Sequence, residues 1–256
     1  MAFDNRVQLF VERTLFLRTK SVVHRIGGME VLVDYGAGEQ NGTRACLALL
    51  PYARFVEEMA FEAHPLRIID LGANGGGFSL MLRRMGHDLK KVVAVELNPR
   101  TFGRLSFNLY RNLDCELELH CGAINDIDGE LELFLGDGSI SDSIYGTGTG
   151  GRSTKVRLIS LARLIESGFG QDEVDICKMD VEGSEFAILG DDRCLAALQR
   201  VRCLILEVHD ARRQEWVDER MGDAGFRKMD VVSRFESTVF GYSRNTWATE
   251  RDLSSD

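Results

Sequence analysis

Acids and a histidine stand where several apolar runs of this sequence stop. Glu96 closes Val92-Val93-Ala94-Val95, Asp180 and Glu182 follow Ile176-Cys177-Lys178-Met179, and Glu207 and His209 flank Val208 after Leu204-Ile205-Leu206. A further acid, Asp70, opens Asp70-Leu71-Gly72-Ala73-Asn74-Gly75-Gly76-Gly77, between Ile68-Ile69 and Phe78-Ser79-Leu80-Met81-Leu82. Carboxylates accept hydrogen bonds from hydroxyl and ammonium groups. An imidazole that titrates near neutral pH takes up a proton. A glycine-rich turn lets a ligand approach the backbone.

A glycine turn between strand and helix, with an acid closing a second strand about 20 residues later, suits a nucleoside-bearing cofactor whose ribose hydroxyls Glu96 accepts. The spacing is Asp-x-Gly-x-Asn-x-Gly, not the Gly-x-Gly-x-x-Gly of dinucleotide binders. It favours S-adenosylmethionine (SAM) over NAD, because SAM has no pyrophosphate for a helix N-terminus to hold. The expected cofactor contacts are Asp70, Gly72, Ala73, Asn74, Gly76, Glu96, Leu97, Asn98, Ala123, Asn125 and Asp180. The expected catalytic set is Asp180, Glu182, Glu207 and His209.

The elements that must position these groups alternate. Strand 67–71 leads to helix 78–86, strand 91–96 to helix 99–112 with Pro99 in its first turn, then strand 116–123 follows. Asp128-Gly129 predicts a hairpin between Ala123-Ile124 and Leu131–Leu135. Residues 136–154, rich in Gly, Ser and Thr, read as a mobile loop, either a solvated linker or a lid over substrate. Strand 155–159, a short helix near 161–165, strand 174–179, helices to about Gln199, strand 203–208, helix 212–224 and strands 227–234 and 238–243 complete the pattern. The expected fold is α/β: a doubly wound, mostly parallel, Rossmann-like seven-stranded sheet with an antiparallel C-terminal edge strand. Residues 1–65 read as an N-terminal helical extension (a helix, a short strand at 31–33, a helix from Tyr52 to Ala63) and 66–256 as the main domain. In such sheets ligands bind beyond the carboxyl ends of the strands, where the acids collect.

With 256 residues, 44% of them hydrophobic, the chain builds one sizeable domain with an appendage. Its 31 Lys+Arg against 40 Asp+Glu give a net charge of −9, which argues against nucleic-acid partners. Six cysteines without a Cys-x-x-Cys pair read as reduced thiols of a cytoplasmic protein. No run approaches a membrane span. Val7, Phe10, Val11 and Leu15 form an amphipathic start that fits a cap helix, a homodimer face or a membrane-surface helix.

The stretch Asp70–Gly76, together with Lys178-Met179-Asp180-Val181-Glu182-Gly183-Ser184-Glu185, resembles the FkbM-type family of class I SAM-dependent methyltransferases. Asn98-Pro99 through Asn108 and Asn112, Gly122-Ala123 with Asp128-Gly129, and Leu206-Glu207-Val208-His209 fit the same family, over about 66–242. The family usually carries an acid in a Leu-Asp-x-Leu segment; here Leu161-Ala162-Arg163-Leu164 stands instead. The resemblance implies O-methylation of a hydroxyl on a small molecule such as a polyketide or sugar.

In that reading His209 serves as base, with Asp180 and Glu182 as alternatives. A divalent metal held by Asp180, Glu207 and His209 is a second activating route, which the spacing does not require. Asn98-Pro99-Arg100 has the look of an amine-methylating motif but follows the second strand; the fourth, where that motif belongs, carries Asp180-Val181-Glu182. The competing functions are an NAD-dependent oxidoreductase or epimerase, for which no third glycine or Tyr-x-x-x-Lys pair is found, and a non-catalytic SAM-binding protein.

Overall fold

The computed structural model describes residues 3–15, 21–61, 64–135, 152–231 and 238–244. The chain opens with helix α1 (Arg6–Leu15), hairpin β1 (Ser21–Ile26) and β2 (Met29–Asp34), and helices α2 (Thr43–Leu49) and α3 (Ala53–Met59). Next come β3 (Leu66–Leu71), α4 (Gly77–Arg84), β4 (Leu89–Glu96), α5 (Pro99–Asn112), β5 (Glu116–Cys121), β6 (Ala123–Asn125), β7 (Gly129–Leu135) and β8 (Arg152–Ser160). The remainder is α6 (Leu161–Phe169), β9 (Val174–Met179), α7 (Glu185–Gly190), α8 (Asp192–Leu198), β10 (Val201–Glu207), α9 (Gln214–Asp223), β11 (Phe226–Lys228) and β12 (Val239–Arg244).

Among the described residues the central sheet has seven strands in the order β11-β12-β10-β9-β3-β4-β5. The pairs β10–β9, β9–β3, β3–β4 and β4–β5 are parallel, and β12 runs antiparallel to both of its neighbours. The antiparallel strand therefore lies one place inside the edge, with the short β11 outside it. Side chains alternate across the sheet as a period of two requires. Ile69, Val93, Cys177 and Leu204 belong to the core shared with α6, α8 and α9; Ile68, Val92, Ile176 and Ile205 belong to the one shared with α3, α4 and α5. Burial on both faces is why these runs are continuously apolar.

The hairpin expected at Asp128-Gly129 does not form. β6 and β7 do not pair with each other; both pair with β8, in the order β6-β8-β7. Asp128 instead accepts a hydrogen bond from the Ser160 amide at 3.2 Å and faces Arg163 at 3.4 Å, tying its turn to the end of β8. The strand expected over 116–123 divides at Gly122, where a Cβ would stand 2.7 Å from the Arg157 carbonyl oxygen. Of the loop expected over 136–154, Arg152, Ser153 and Thr154 belong to β8, opposite Leu135, Phe134 and Leu133. Residues 136–151, on which the lid reading rests, lie outside the described residues.

The N-terminal segment contains more structure than its sequence announces: a full hairpin and helix α2. Met29, Val31, Val33, Leu47 and Phe55 join Ile68, Leu80, Val92 and Leu105 in one core. No described helix is long and apolar enough to cross a membrane. None of the six cysteines, all among the described residues, forms a disulfide, and Cys46, Cys177, Cys194 and Cys203 are buried.

Candidate active site

The turn after β3 is held from three sides. Gly72 has φ +68°, and a Cβ there would lie 1.8 Å from the Asp180 carbonyl oxygen. Its bareness therefore serves the contact between the ends of β3 and β9, not only the approach of a ligand. Gly76, at φ +84°, faces α5, where a Cβ would meet Leu109 at 2.8 Å. Asn74 also takes a left-handed conformation, φ +49°. Its Oδ1 accepts hydrogen bonds from the Thr43 hydroxyl (2.9 Å) and the Gly75 amide (2.7 Å).

A cavity of about 460 Å³ opens at the carboxyl ends of β3, β4, β9 and β10. Of the residues named from sequence, Gly72, Ala73, Asn74, Glu96, Leu97, Ala123, Asp180, Glu182 and Glu207 line it. Asp70, Gly76, Asn98, Asn125 and His209 do not. Asp70 is fully buried beneath the turn, accepts the Ser79 hydroxyl at 2.9 Å, and has its pKa raised by burial against the opposing pull of Lys178. Asn98 caps α5 by accepting the Arg100 amide at 2.9 Å. Asn125 is buried and its Oδ1 finds no partner among the described residues. Glu96 is 8% exposed; its two oxygens accept the amides of Asn74 (2.9 Å) and Asn98 (2.8 Å), which fixes the carboxylate at the cavity wall.

Asp180 and Glu182 meet His209 at the cavity's acidic end. His209 Nε2 lies 3.6 Å from Asp180 Oδ1 and 3.5 Å from Glu182 Oε2, and its Nδ1 lies 3.1 Å from Glu185 Oε1. That same Glu185 oxygen accepts the His209 amide at 2.9 Å. Lys178 Nζ bonds Asp180 Oδ2 at 2.9 Å and the Gly72 carbonyl at 3.0 Å.

Burial works against a charged imidazole, but it is outweighed by the hydrogen bond to Glu185 and the charges of Glu185, Glu182 and Asp180, which push His209 up to about 9. At neutral pH His209 therefore carries its proton, and the expectation of a base with an ordinary histidine pKa is corrected. Burial raises Glu182 above the usual carboxylate range, with His209 pulling the other way. Glu207, named with Asp180 and His209 in the alternative metal route, lines the cavity but is not in this cluster; Glu182 stands in its place.

Residues 70–234 match the methyltransferase FkbM domain, more than half of the chain. The chain belongs to the FkbM methyltransferase family. This places it among SAM-dependent methyltransferases rather than the NAD-dependent oxidoreductases that its sequence left as competitors. The structure is similar to the crystal structure of methyltransferase FkbM from Methylobacillus flagellatus KT, at TM-score 0.50 and 13% identity over 70% of this chain. This chain spans 43% of that longer one. Weaker likenesses reach a putative RNA methyltransferase from Pyrococcus horikoshii (TM-score 0.43, 12% identity, 77% of this chain and 82% of that one) and a putative tRNA (m1A22) methyltransferase from Streptococcus pneumoniae in complex with SAM (TM-score 0.44, 13% identity, 75% and 72%). No curated protein matches the sequence.

Sequence reasoning missed two kinds of residue around this cavity. Lys178 and Glu185 stood in the quoted Lys-Met-Asp-Val-Glu-Gly-Ser-Glu stretch, yet only the fold shows them gripping Asp180 and His209. Asn41 to Tyr52 supply one wall of the cavity, with Thr43, Cys46, Leu49 and Tyr52 among its lining. That segment has no chemical motif, and no signal in the sequence marks it. None of the described residues of α1 lines the cavity.

Proposed function

We propose that this protein transfers the methyl group of SAM to a hydroxyl of a small molecule. One observation carries the reading: a single cavity is lined by Glu96 at the end of β4 and by Asp180 and Glu182 after β9, with the imidazole of His209 behind them. The cavity's size falls within the range of small-ligand sites. Its bare wall at Gly72 and Ala73, its apolar Leu97 and Ile124, and its four carboxylates fit a nucleoside joined to a cationic amino acid. SAM supplies an activated methyl group when bound.

The residues of this chain do the rest. Glu96 accepts the ribose hydroxyls. Asp180 and Glu182 hold the hydroxyl of the acceptor and take its hydrogen, and burial, by raising the pKa of Glu182, strengthens that carboxylate as a proton acceptor. Protonated His209 keeps the two carboxylates together. Holding the acceptor oxygen in line supplies much of the rate. The carboxylate lining repels phosphates, which supports a small acceptor over a nucleic acid.

The test joins calorimetry with a methylation screen. Glu96→Ala should weaken SAM binding by about 10- to 100-fold, the cost of charged hydrogen bonds. Hydroxylated metabolites and sugars incubated with SAM should include one that gains a methyl. Unchanged SAM affinity in Glu96→Ala, or methyl gain confined to amines, would overturn the reading.

A further inference from the structure

We propose that Asp180, Glu182 and His209 bind one divalent first-row cation of the Mn²⁺ kind at the edge of the cavity. Asp180 Oδ1 and Glu182 Oε2 stand 3.6 and 3.5 Å from His209 Nε2, and one ligand atom from each residue lies within 4.8 Å of the others. Ligands about 2.1 Å from a shared cation stand roughly 3.0–3.5 Å apart, so small side-chain rotations close the triangle.

A second observation points the same way. The atoms that would not touch the cation are held from behind. Glu185, fully buried, holds His209 Nδ1 and leaves Nε2 facing the carboxylates, where the cation takes the place of the proton that Nε2 otherwise carries, so that binding releases one proton. Lys178 holds Asp180 Oδ2 and leaves Oδ1 facing the imidazole. Outer partners of this kind orient metal-binding histidines and carboxylates. Two carboxylates with one imidazole suit a cation between the oxygen-preferring and nitrogen-preferring classes, and they leave several coordination positions for water and one further oxygen. On the reading that the acceptor is a hydroxyl, that further oxygen is the acceptor's, and the cation lowers its pKa as a Lewis acid. Cation binding itself does not require that reading.

The experiment uses the full chain, stripped with EDTA and exchanged into chelator-free buffer, with Mn²⁺ alone as the probe. Titration followed by electron paramagnetic resonance of free Mn²⁺ should show one saturable site per chain. Glu182→Gln and His209→Asn should abolish it, and Glu185→Gln should weaken it about 10- to 100-fold, while circular dichroism and urea unfolding report intact folds. Should a variant fail to fold, paramagnetic broadening of the His209 ring resonances by Mn²⁺ reads the wild type directly. A folded wild type with no saturable Mn²⁺ binding, unbroadened His209 resonances, or wild-type affinity in Glu182→Gln and His209→Asn would overturn the site. Mn²⁺ binding without methyl transfer to any hydroxyl would keep the site and sink the hydroxyl reading instead.

Discussion

Read from sequence, His209 is one imidazole at a strand end with its ordinary pKa. Glu185 changes what that imidazole is. A fully buried carboxylate that accepts both the amide and Nδ1 of His209 fixes the ring and holds its proton. Spacing within Glu182-Gly183-Ser184-Glu185 could not show this, because the partner lies 24 residues further on, beyond α7, α8 and β10, and meets Glu185 only where the ends of the neighbouring strands β9 and β10 come together. Gly72 was legible as a glycine but not as a spacer between β3 and β9. Gly72→Ala forces a methyl onto the Asp180 carbonyl and a side chain into left-handed backbone, so it should cost about 3 kcal/mol or more. Urea unfolding reads this; a variant within about 0.5 kcal/mol of wild type would return Gly72 to a pure ligand-approach role.

Elements were most legible where a local signal and the tertiary context agree. Helix α5 spans Pro99–Asn112, as expected, because Asn98 caps it and Pro99 fits its first turn. The hairpin failed because Asp128-Gly129 is a turn signal whose competing partner, β8, arrives only after residue 151. Asn108 and Asn112, quoted for their family resemblance, turn out to mimic a strand. Asn108 bonds the amide and carbonyl of Leu32, Asn112 those of Glu30, and Asn108 also reaches the Gly75 carbonyl. The C-terminal strands depend on a comparable carboxylate. Asp218 accepts Tyr242 Oη at 2.7 Å, Gln214 Nε2 at 2.8 Å and Lys228 Nζ at 2.8 Å. Burial alone would raise its pKa, but these hydrogen bonds outweigh it and lower it. A carboxylate depressed in the folded state stabilises above its unfolded pKa, and the benefit fades as pH falls through the folded value. Asp218→Asn should therefore be less stable than wild type by about 1 kcal/mol at pH 7, a modest figure because water screens the pair. The gap should close toward pH 3; a gap that stays constant across urea midpoints from pH 7 to 3 would rule this out.

At the scale of the molecule, the glycine turn after β3 and the cavity's far wall come from parts of the chain that sequence reading kept apart. The wall is built by the segment before residue 65, and one buried ion pair clamps it to α5. Glu39, fully buried, accepts Arg104 Nε at 2.6 Å through Oε1 and the Asp34 amide at 2.6 Å through Oε2. Burial pushes Glu39 up, opposed by the Asp34 amide and by Arg104. This clamp was invisible in sequence, since an acid and a base 65 residues apart carry no mutual signal. Removing one partner of a buried pair strands the other charge, at a cost of about 3–5 kcal/mol, whereas removing both is far less damaging. Arg104→Met should therefore lower unfolding stability by about 3 kcal/mol and weaken SAM binding by loosening the wall that bears Thr43 and Tyr52. Adding Glu39→Gln to the same chain should recover part of both losses, because a neutral amide leaves no stranded charge. Urea unfolding and SAM calorimetry on the wild type, the single variant and the double variant decide the matter. An Arg104→Met protein that keeps wild-type stability and SAM affinity would show that the N-terminal segment holds its place without the Glu39–Arg104 pair.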